Sequence, residues 1–221
     1  MNEKTLYIQV NSPGEVSRFL YPILKELGKQ DYNGSVTVLL SPCIYASGSE
    51  MKILKNLPFV HLILSPLDYI KLLLNPFSKV KGDKILFLGG DPFYTQLFSF
   101  RFNIEALAYS EHKTFSKWKF KNVFFKHLDG DLMRQGLFDE LPSKSTIIEK
   151  YNLKKDKKYI LFLTSSRPSH FTAFFPFIID CVFKFSKNNP NFKPIISISP
   201  FISDQLIDQF VPAEVNKKVK I

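Results

Sequence analysis

Four short stretches of the chain carry residue types that could do chemistry. In Asn11-Ser12-Pro13-Gly14-Glu15-Val16-Ser17, a glycine allows close backbone approach beside a carboxylate and two hydroxyls. Followed by a helix, such a loop favours an anion. Ser41-Pro-Cys-Ile-Tyr-Ala-Ser47-Gly48-Ser-Glu50 clusters small and hydroxyl residues that could hydrogen-bond a sugar. Gly89-Gly90-Asp91-Pro92 brings the backbone close to whatever lies beyond it. The Asp91 carboxylate there could act as a general base toward a hydroxyl, in the same crevice as Glu15. Thr164-Ser165-Ser166-Arg167-Pro168 offers hydroxyls and a guanidinium suited to phosphate. Each stretch also has an ordinary structural reading. Ser17 or Glu15 could simply cap a helix, and the 41–50 stretch could be plain loop chemistry. Asp91 could be an N-cap with Pro92 at the first helical position, which is compatible with its role as a base.

Other chemistries find less support. There is no GxGxxG and no GxxxxGK[ST], so neither a dinucleotide site nor a P-loop is expected. The four histidines, His61, His112, His127 and His170, are isolated; Glu111-His112 follows a strand-like run and could line a cleft. Trp118, between lysines, could stack on a base or a sugar. No RRM, KH or zinc-finger pattern accompanies it, so nucleic acid is not an expected partner. Cys43 and Cys181 stand far apart with no CxxC and no histidine at ligand spacing. The expectation is two reduced, buried thiols, no metal and no cofactor.

The elements that would position these residues alternate. Strand-like runs cover Thr5–Val10, Ser35–Leu40, Val60–Leu64, Lys84–Leu88, Glu105–Tyr109 and Asn122–Lys126. Helical spacing covers Val16–Leu27, with Gly28 as C-cap, then Ser47–Leu54, Leu67–Leu74 and Phe93–Phe102. Without hairpin turns, this alternation predicts an α/β fold, a Rossmann-like parallel sheet with helices on both faces. Ligands of such sheets bind at the carboxyl ends of the strands, where the loops after Val10, Leu40 and Leu88 all fall. We expect a first domain over 1–141 and a Lys-, Pro- and Ser-rich linker over 142–158 with a short helix, Thr146–Tyr151. A second α/β unit is expected over 159–221, with strands Tyr159–Leu163 and Pro194–Ser199 and helices His170–Phe185 and Ser203–Phe210. Lys217–Ile221 resembles a third strand, so the second domain is expected to be incomplete.

The chain has 221 residues, 45% of them apolar, and 23 phenylalanines spread along it, which argues against disorder. A formal charge of +10 points to an acidic partner such as an anionic membrane surface or a phosphorylated substrate, or simply to a solvated lysine face. No signal peptide is visible, and no apolar run reaches the roughly 18–20 residues of a spanning helix. The expectation is a cytoplasmic chain, at most peripheral on a membrane.

In order along the chain, several strings resemble the lipid-A-disaccharide synthase family. Gly14-Glu15-Val16-Ser17 is similar to its Gly-Glu-x-Ser, and Gly90-Asp91-Pro92-Phe93 to its Gly-Asp-x-Pro. Ala108-Tyr109-Ser110 is similar to its Tyr-Val-Ser-Pro, Gly130-Asp131-Leu132-Met133 to its Gly-His-x-Met-x-Asp, and Thr164-Ser165-Ser166-Arg167 to its Pro-Gly-Ser-Arg. Pro42-Cys43, Ala46-Ser47-Gly48-x-Glu50 and Gly89-Gly90-Asp91-Pro92 resemble a divergent related group more closely still. Arg18-Phe19 stands where the family has Gly-Asp, and the family's later donor-site motif has no counterpart here.

The resemblance implies a GT-B type fold of two Rossmann-like domains with the active site between them. It implies an inverting enzyme joining UDP-2,3-diacylglucosamine to 2,3-diacylglucosamine 1-phosphate. Asp91 would be the base, with Glu15 in the catalytic set. Gly14, Ser17, Ser47, Gly48, Gly90, Tyr109 and Glu111 would serve the acceptor side, and Ser165, Ser166 and Arg167 the donor phosphates. UDP-sugar would be a substrate rather than a cofactor. Leu67, Ile70, Leu73 and Leu74, with Lys71, would meet lipid, unless this helix is simply packed in the core. A non-catalytic sugar- or lipid-binding module of the same fold is the alternative.

Overall fold

The computed structural model describes residues 5–113, 115, 117, 119–138 and 141–210. The chain divides into two compact units, Met1–Asp139 and Glu140–Ile221.

In the first unit, strands β1 (Thr5–Val10), β2 (Ser35–Leu40), β3 (Val60–Leu64), β4 (Lys84–Phe87), β5 (Glu105–Ser110) and β6 (Asn122–Phe125) form one sheet. Its order is β3-β2-β1-β4-β5-β6, and every neighbouring pair is parallel. Chain order therefore reverses between β1 and β4. In a doubly wound sheet that reversal opens a crevice at the carboxyl ends of the two strands.

Both faces of the sheet are covered, because a parallel sheet buries alternate residues on either side. Helices α4 (Pro66–Leu74) and α5 (Pro92–Phe102) pack on the face that carries Tyr7, Leu39, Ile85, Phe87 and Ala108. Tyr69, Leu73 and Phe98 are their buried anchors. The opposite face, with Ile8, Val38, Leu86 and Tyr109, meets a helical stretch and α7 (Leu132–Phe138). That stretch begins as α1 (Pro13–Glu15), widens through a π-helical turn (Val16–Leu20) and continues as α2 (Tyr21–Lys29). The widening has a local cause. Pro22 has no N–H to return to Arg18, and the N–H of Tyr21 reaches back five residues to Val16. Short helices α3 (Glu50–Leu54) and α6 (Lys126–Asp129) follow β2 and β6.

Gly28 lies inside α2 rather than capping it; Gln30 is the C-cap. Leu73 is 4% exposed and Tyr69 fully buried, so α4 turns a core face inward while Leu67 and Leu74 stay exposed. Of the residues expected to meet lipid together, Leu73 is therefore withdrawn. Cys43 and Cys181 are thiols outside any disulfide, and half-buried rather than buried.

One polar residue stands in the middle of this core. Gln9 is completely buried on β1, where its neighbours in the sheet are Leu39 and Phe87. Its amide is fully paired. Nε2 donates to the carbonyls of Gly89 (3.1 Å) and Asp91 (3.0 Å). Oε1 accepts from Tyr69 Oη (3.2 Å) and Thr95 Oγ1 (2.7 Å), both fully buried. Burial, reinforced by Tyr94, pushes the Tyr69 hydroxyl far above the usual tyrosine range, so it stays a donor. The single side chain thus ties β1, α4 and α5 to the loop after β4.

The second unit holds α8 (Lys144–Lys150), the parallel pair β7 (Lys158–Leu163) and β8 (Phe192–Ser197), α9 (Pro168–Asn188) and α10 (Asp204–Asp208). Phe171 and Phe175 stack at 4.3 Å and bury with Ile202 and Ile207. Leu161 and Leu163 of β7, and Phe174, Phe177 and Phe183 of α9, remain exposed. The strand expected at Lys217–Ile221 lies outside the described residues, as does Trp118.

Gln9→Leu removes both donors and the acceptor while leaving three buried partners, Gly89 O, Tyr69 Oη and Thr95 Oγ1, and the part-buried Asp91 O. It should destabilise the fold by about 2–4 kcal/mol, since each orphaned buried group costs roughly 1–3 kcal/mol. Urea unfolding of the two proteins measures the difference.

Candidate functional site

The crevice at the β1/β4 reversal is built by three loops. After β1, Ser12 is buried and starts the helix, and its hydroxyl donates to the Glu15 carboxylate. After β2 comes Ser41, 1% exposed, its N–H bonded to Val10 O. After β4 comes Gly89-Gly90-Asp91, whose carbonyls at 89 and 91 are held from behind by Gln9.

The two glycines are required by the approach of the other loops. A Cβ on Gly89 would run into Cγ of Glu15. Gly90 sits at φ +88°, which side chains rarely adopt, and a Cβ there would strike Ser41 Oγ with Asn11 Nδ2 3.1 Å away. Ser41 Oγ and Asn11 Oδ1 are both buried with no hydrogen-bond partner in the protein. Such atoms are costly unless an ordered water or a ligand satisfies them.

Asp91 follows directly. It is exposed, and its Oδ1 accepts the N–H of Phe93 at 2.9 Å, with Pro92 opening α5. The N-cap expected from the Asp-Pro pair is present. Glu15 is turned toward Ser12 and the backbone of Gly89, so the first and fourth strand loops are packed through it. Gly14 lies in the first helical turn at ordinary φ, where an added Cβ would sit 3.8 Å from Ser12 Oγ. The tight turn expected there is absent. Neither Ser17 nor Glu15 caps the helix: Ser12 holds that position, and Ser17 returns its hydroxyl to Pro13 O at 2.8 Å.

The 41–50 loop organises itself. Ser47 Oγ accepts the N–H of Ser49, and its own N–H goes to Glu50 Oε1 at 2.6 Å. Gly48 takes φ +80° with open space around it. On the far side of the edge, Tyr109 is 5% exposed and its hydroxyl donates to Gly130 O (3.2 Å) and accepts from Leu132 N (3.3 Å). Glu111 pairs with Lys126 at 2.9 Å, and Lys126 also reaches Asp131 at 3.3 Å. Asp131 Oδ1 accepts from the N–H groups of Met133 and Arg134 at the start of α7. Partial burial opposes ionisation of Asp131. The Lys126 ammonium and these N–H groups outweigh it and hold the carboxyl below its usual range. The hydrogen bonds that Lys126 donates to Glu111 and then to Asp131 raise its pKa.

In the second unit, Thr164 Oγ1 donates to Ser197 O at 2.8 Å, and Ser165 Oγ accepts the N–H of Arg167 at 3.1 Å. Arg167 is the backbone N-cap of α9. The Ser165 hydroxyl is thus engaged locally, while Ser166 and Arg167 are half-buried beside it. Among the described residues no group of three or more His, Cys, Asp or Glu side chains could hold a metal ion.

Gln9 and Lys126 went unremarked as site residues in the sequence, and Ser41 was noted only as a hydroxyl of the 41–50 stretch, not for its contact with Gly90. Gln9 carried a signal, being the one amide in the apolar run Tyr7-Ile8-Gln9-Val10. Ser41 and Lys126 carried none, since their roles depend on strand order.

Gly90→Ala should destabilise the first unit by about 1–3 kcal/mol through strain at positive φ and the clash with Ser41, as a thermal or urea melt would register. The Asp131 contribution is present above its unfolded pKa, about 3.9, and is lost as pH falls through its lower folded value. Asp131→Asn should therefore flatten the stability profile below about pH 4; denaturation midpoints between neutral and acid pH test this.

No family model and no curated protein matches the chain. Solved structures do. A UDP-N-acetylglucosamine 2-epimerase structure from Listeria monocytogenes is similar at TM-score 0.55 and 11% identity, over 95% of this chain and 65% of that one. The UDP-GlcNAc 2-epimerase from Methanocaldococcus jannaschii is similar at TM-score 0.50 and 14% identity, over 93% and 68%. The glycosyl transferase family 9 structure from Veillonella parvula reaches TM-score 0.44 at 13% identity, over 99% and 68%, and adds no weight. The chain thus spans about two thirds of the length of the structures it resembles. The likeness extends to the fold alone: α/β, with a Rossmann-like parallel sheet.

Proposed function

We propose that the chain works as an inverting glycosyltransferase resembling lipid-A-disaccharide synthase, with Asp91 as general base. The observation that carries this reading is the exposed Asp91 carboxylate on the loop at the β1/β4 reversal, its backbone braced by Gln9. In the reaction, Asp91 takes the proton of an acceptor hydroxyl as that oxygen bonds to the anomeric carbon of the donor sugar. The bond from that carbon to the diphosphate breaks, and UDP leaves with the electron pair. A carboxylate that must act on a bound hydroxyl gains from a loop that cannot drift, since small misplacements are costly.

The donor is a UDP-sugar and the acceptor an acylated or phosphorylated sugar. The names of two proteins with this fold refer to UDP-N-acetylglucosamine, which agrees with a nucleotide-sugar donor. Ser165, Ser166 and Arg167 at the start of α9 would meet its phosphates. Glu15 acts in this reading as a positioning residue, because its carboxylate is engaged by Ser12. The chain would work in the cytoplasm, against an anionic membrane surface. Leu67, Leu74 and Phe77 are 69%, 71% and 87% exposed, with Lys71 exposed on the same helix as the two leucines. No described helix is long and apolar enough to cross a membrane.

Full-length protein given UDP-diacylglucosamine and diacylglucosamine 1-phosphate should release UDP. Asp91→Asn should lower kcat by about 10²–10⁴ with acceptor affinity nearly unchanged. Undiminished turnover in Asp91→Asn would remove it as the base. Acceptor binding without any UDP release by the parent chain would favour the non-catalytic module.

A further inference from the structure

Two polar atoms of the crevice lack a hydrogen-bond partner in the protein. Ser41 is 1% exposed with its Oγ buried and unpaired, and Asn11 Oδ1 is buried and unpaired beside it. Strand register brings the two residues together. Val10 and Leu40 are partners across β1 and β2, so the next residue of each strand leaves the sheet at the same place. Both then lie against Gly90. The position that a Cβ on Gly90 would take is blocked by Ser41 Oγ and lies 3.1 Å from Asn11 Nδ2 and 3.2 Å from Asn11 Cβ. Other polar groups of these loops are engaged. The Ser41 N–H bonds Val10 O at 3.0 Å, Ser12 donates to Glu15, and Gln9 holds the carbonyls of Gly89 and Asp91.

The types of the two atoms say what satisfies them. An amide oxygen only accepts, whereas a serine hydroxyl can donate. One ligand hydroxyl can donate to Asn11 Oδ1 and accept from Ser41 Oγ at the same time. A phosphate oxygen only accepts and an ammonium only donates, so neither completes both bonds. Because the two atoms are already shut off from bulk solvent, a bond made to them escapes much of the desolvation that offsets most hydrogen bonds. Asp91 follows Gly90 directly, about 3.8 Å along the backbone. A single sugar ring spans the step from the pair to the Asp91 carboxylate.

We propose that Asn11 and Ser41 bind one free ring hydroxyl of the acceptor sugar, and so select and orient the second hydroxyl that meets Asp91. The half-buried Asn11 side chain turns outward to admit it. This rests on the reading of Asp91 as a base acting on a sugar. In 2,3-diacylglucosamine 1-phosphate only the 4- and 6-hydroxyls are free. One is the nucleophile, and the other is the group that the pair holds. Asn11 and Ser41 are positioning residues in this scheme, since neither touches the reacting atoms.

The test uses the full chain and a diacylglucosamine 1-phosphate with butyryl chains, which keep it monomeric, together with its 4-deoxy and 6-deoxy forms. UDP release identifies the deoxy form that retains the nucleophile; without release, both forms are compared. By isothermal titration that form should bind about tenfold more weakly than the complete acceptor, the equivalent of about one hydrogen bond in a buried site. Asn11→Ala and Ser41→Ala should each weaken the complete acceptor severalfold and the deoxy form hardly at all, so that the losses do not add. A thermal melt without ligand separates this role from a structural one. Removing an unpaired buried hydroxyl should leave the midpoint of Ser41→Ala level with the parent or above it. A midpoint lower by several degrees would make Ser41 a part of the framework and overturn the proposal.

Two results distinguish this inference from the reading beneath it. Equal affinity for the complete and deoxy acceptors, or losses that add in full, would remove the subsite while turnover through Asp91 stood. Binding that depends on the hydroxyl and on both residues, with no UDP release, would keep the subsite and remove the transferase. No binding of the complete acceptor would remove both. Inorganic phosphate that competed in the parent but not in Ser41→Ala would put an anion at the pair, with the amide turned, and would overturn the assignment to a hydroxyl.

Discussion

The buried amide of Gln9 is the interaction on which the candidate site depends. A primary amide has two donors and two acceptor sites, and here all four are used, three of them in buried bonds and one in a part-buried bond to Asp91. Two of its partners are carbonyls of the loop after β4, so the loop's position is set from the middle of the sheet rather than from its own sequence. Everything ahead of that loop inherits the constraint. Asp91 begins α5 where Gln9 fixes its carbonyl, Gly90 is pressed against Ser41, and Gly89 leaves room for Glu15. A buried polar network of this kind is costly if half satisfied and specific if complete.

Much of the fold was legible in the sequence because its signals are local. The alternation of strand-like and helix-like runs anticipated the eight strands of the described residues to within a residue or two. The Asp91-Pro92 pair announced the start of α5 by the chemistry of an N-cap. What escaped was whatever depends on which strand lies beside which. Glycine 14 looked like the site of a tight turn because of the Ser-Pro-Gly-Glu string. The helix begins one residue earlier, at Pro13, so Gly14 needs no special backbone. The Gly28 cap failed for a related reason, since α2 runs one residue past it. Leu73 looked as able to face outward as Leu74 until Tyr69 and Leu73 were seen to share a buried face of α4.

The site residues show the same division. Asp91 and the glycines before it were legible, being short-range features of a strand end. Their dependence on Gln9 and Ser41 was not, because both lie more than forty residues away in sequence and meet the loop only after β1 and β4 pair. Tyr109 stood out through the resemblance of Ala108-Tyr109-Ser110 to a family strand end, and Glu111 through its position after a strand. The structure turns the tyrosine hydroxyl toward Gly130 and Leu132 and the carboxylate toward Lys126, which makes them part of the edge's framework.

The carboxyl edge of the sheet is thus held by two different kinds of force. On the β1–β4 side the bonds are neutral and, but for the part-buried one to Asp91, buried: an amide, two hydroxyls and two carbonyls. On the β5–β6 side Lys126 joins Glu111 and Asp131 through charges that remain about 18–35% exposed. Dissolved ions screen the second and hardly touch the first, because mobile counterions cannot enter a dry interior. Raising the ionic strength would loosen one flank of the edge while the Asp91 loop keeps its place. The width of the edge would then respond to salt while the carboxylate at its centre would not.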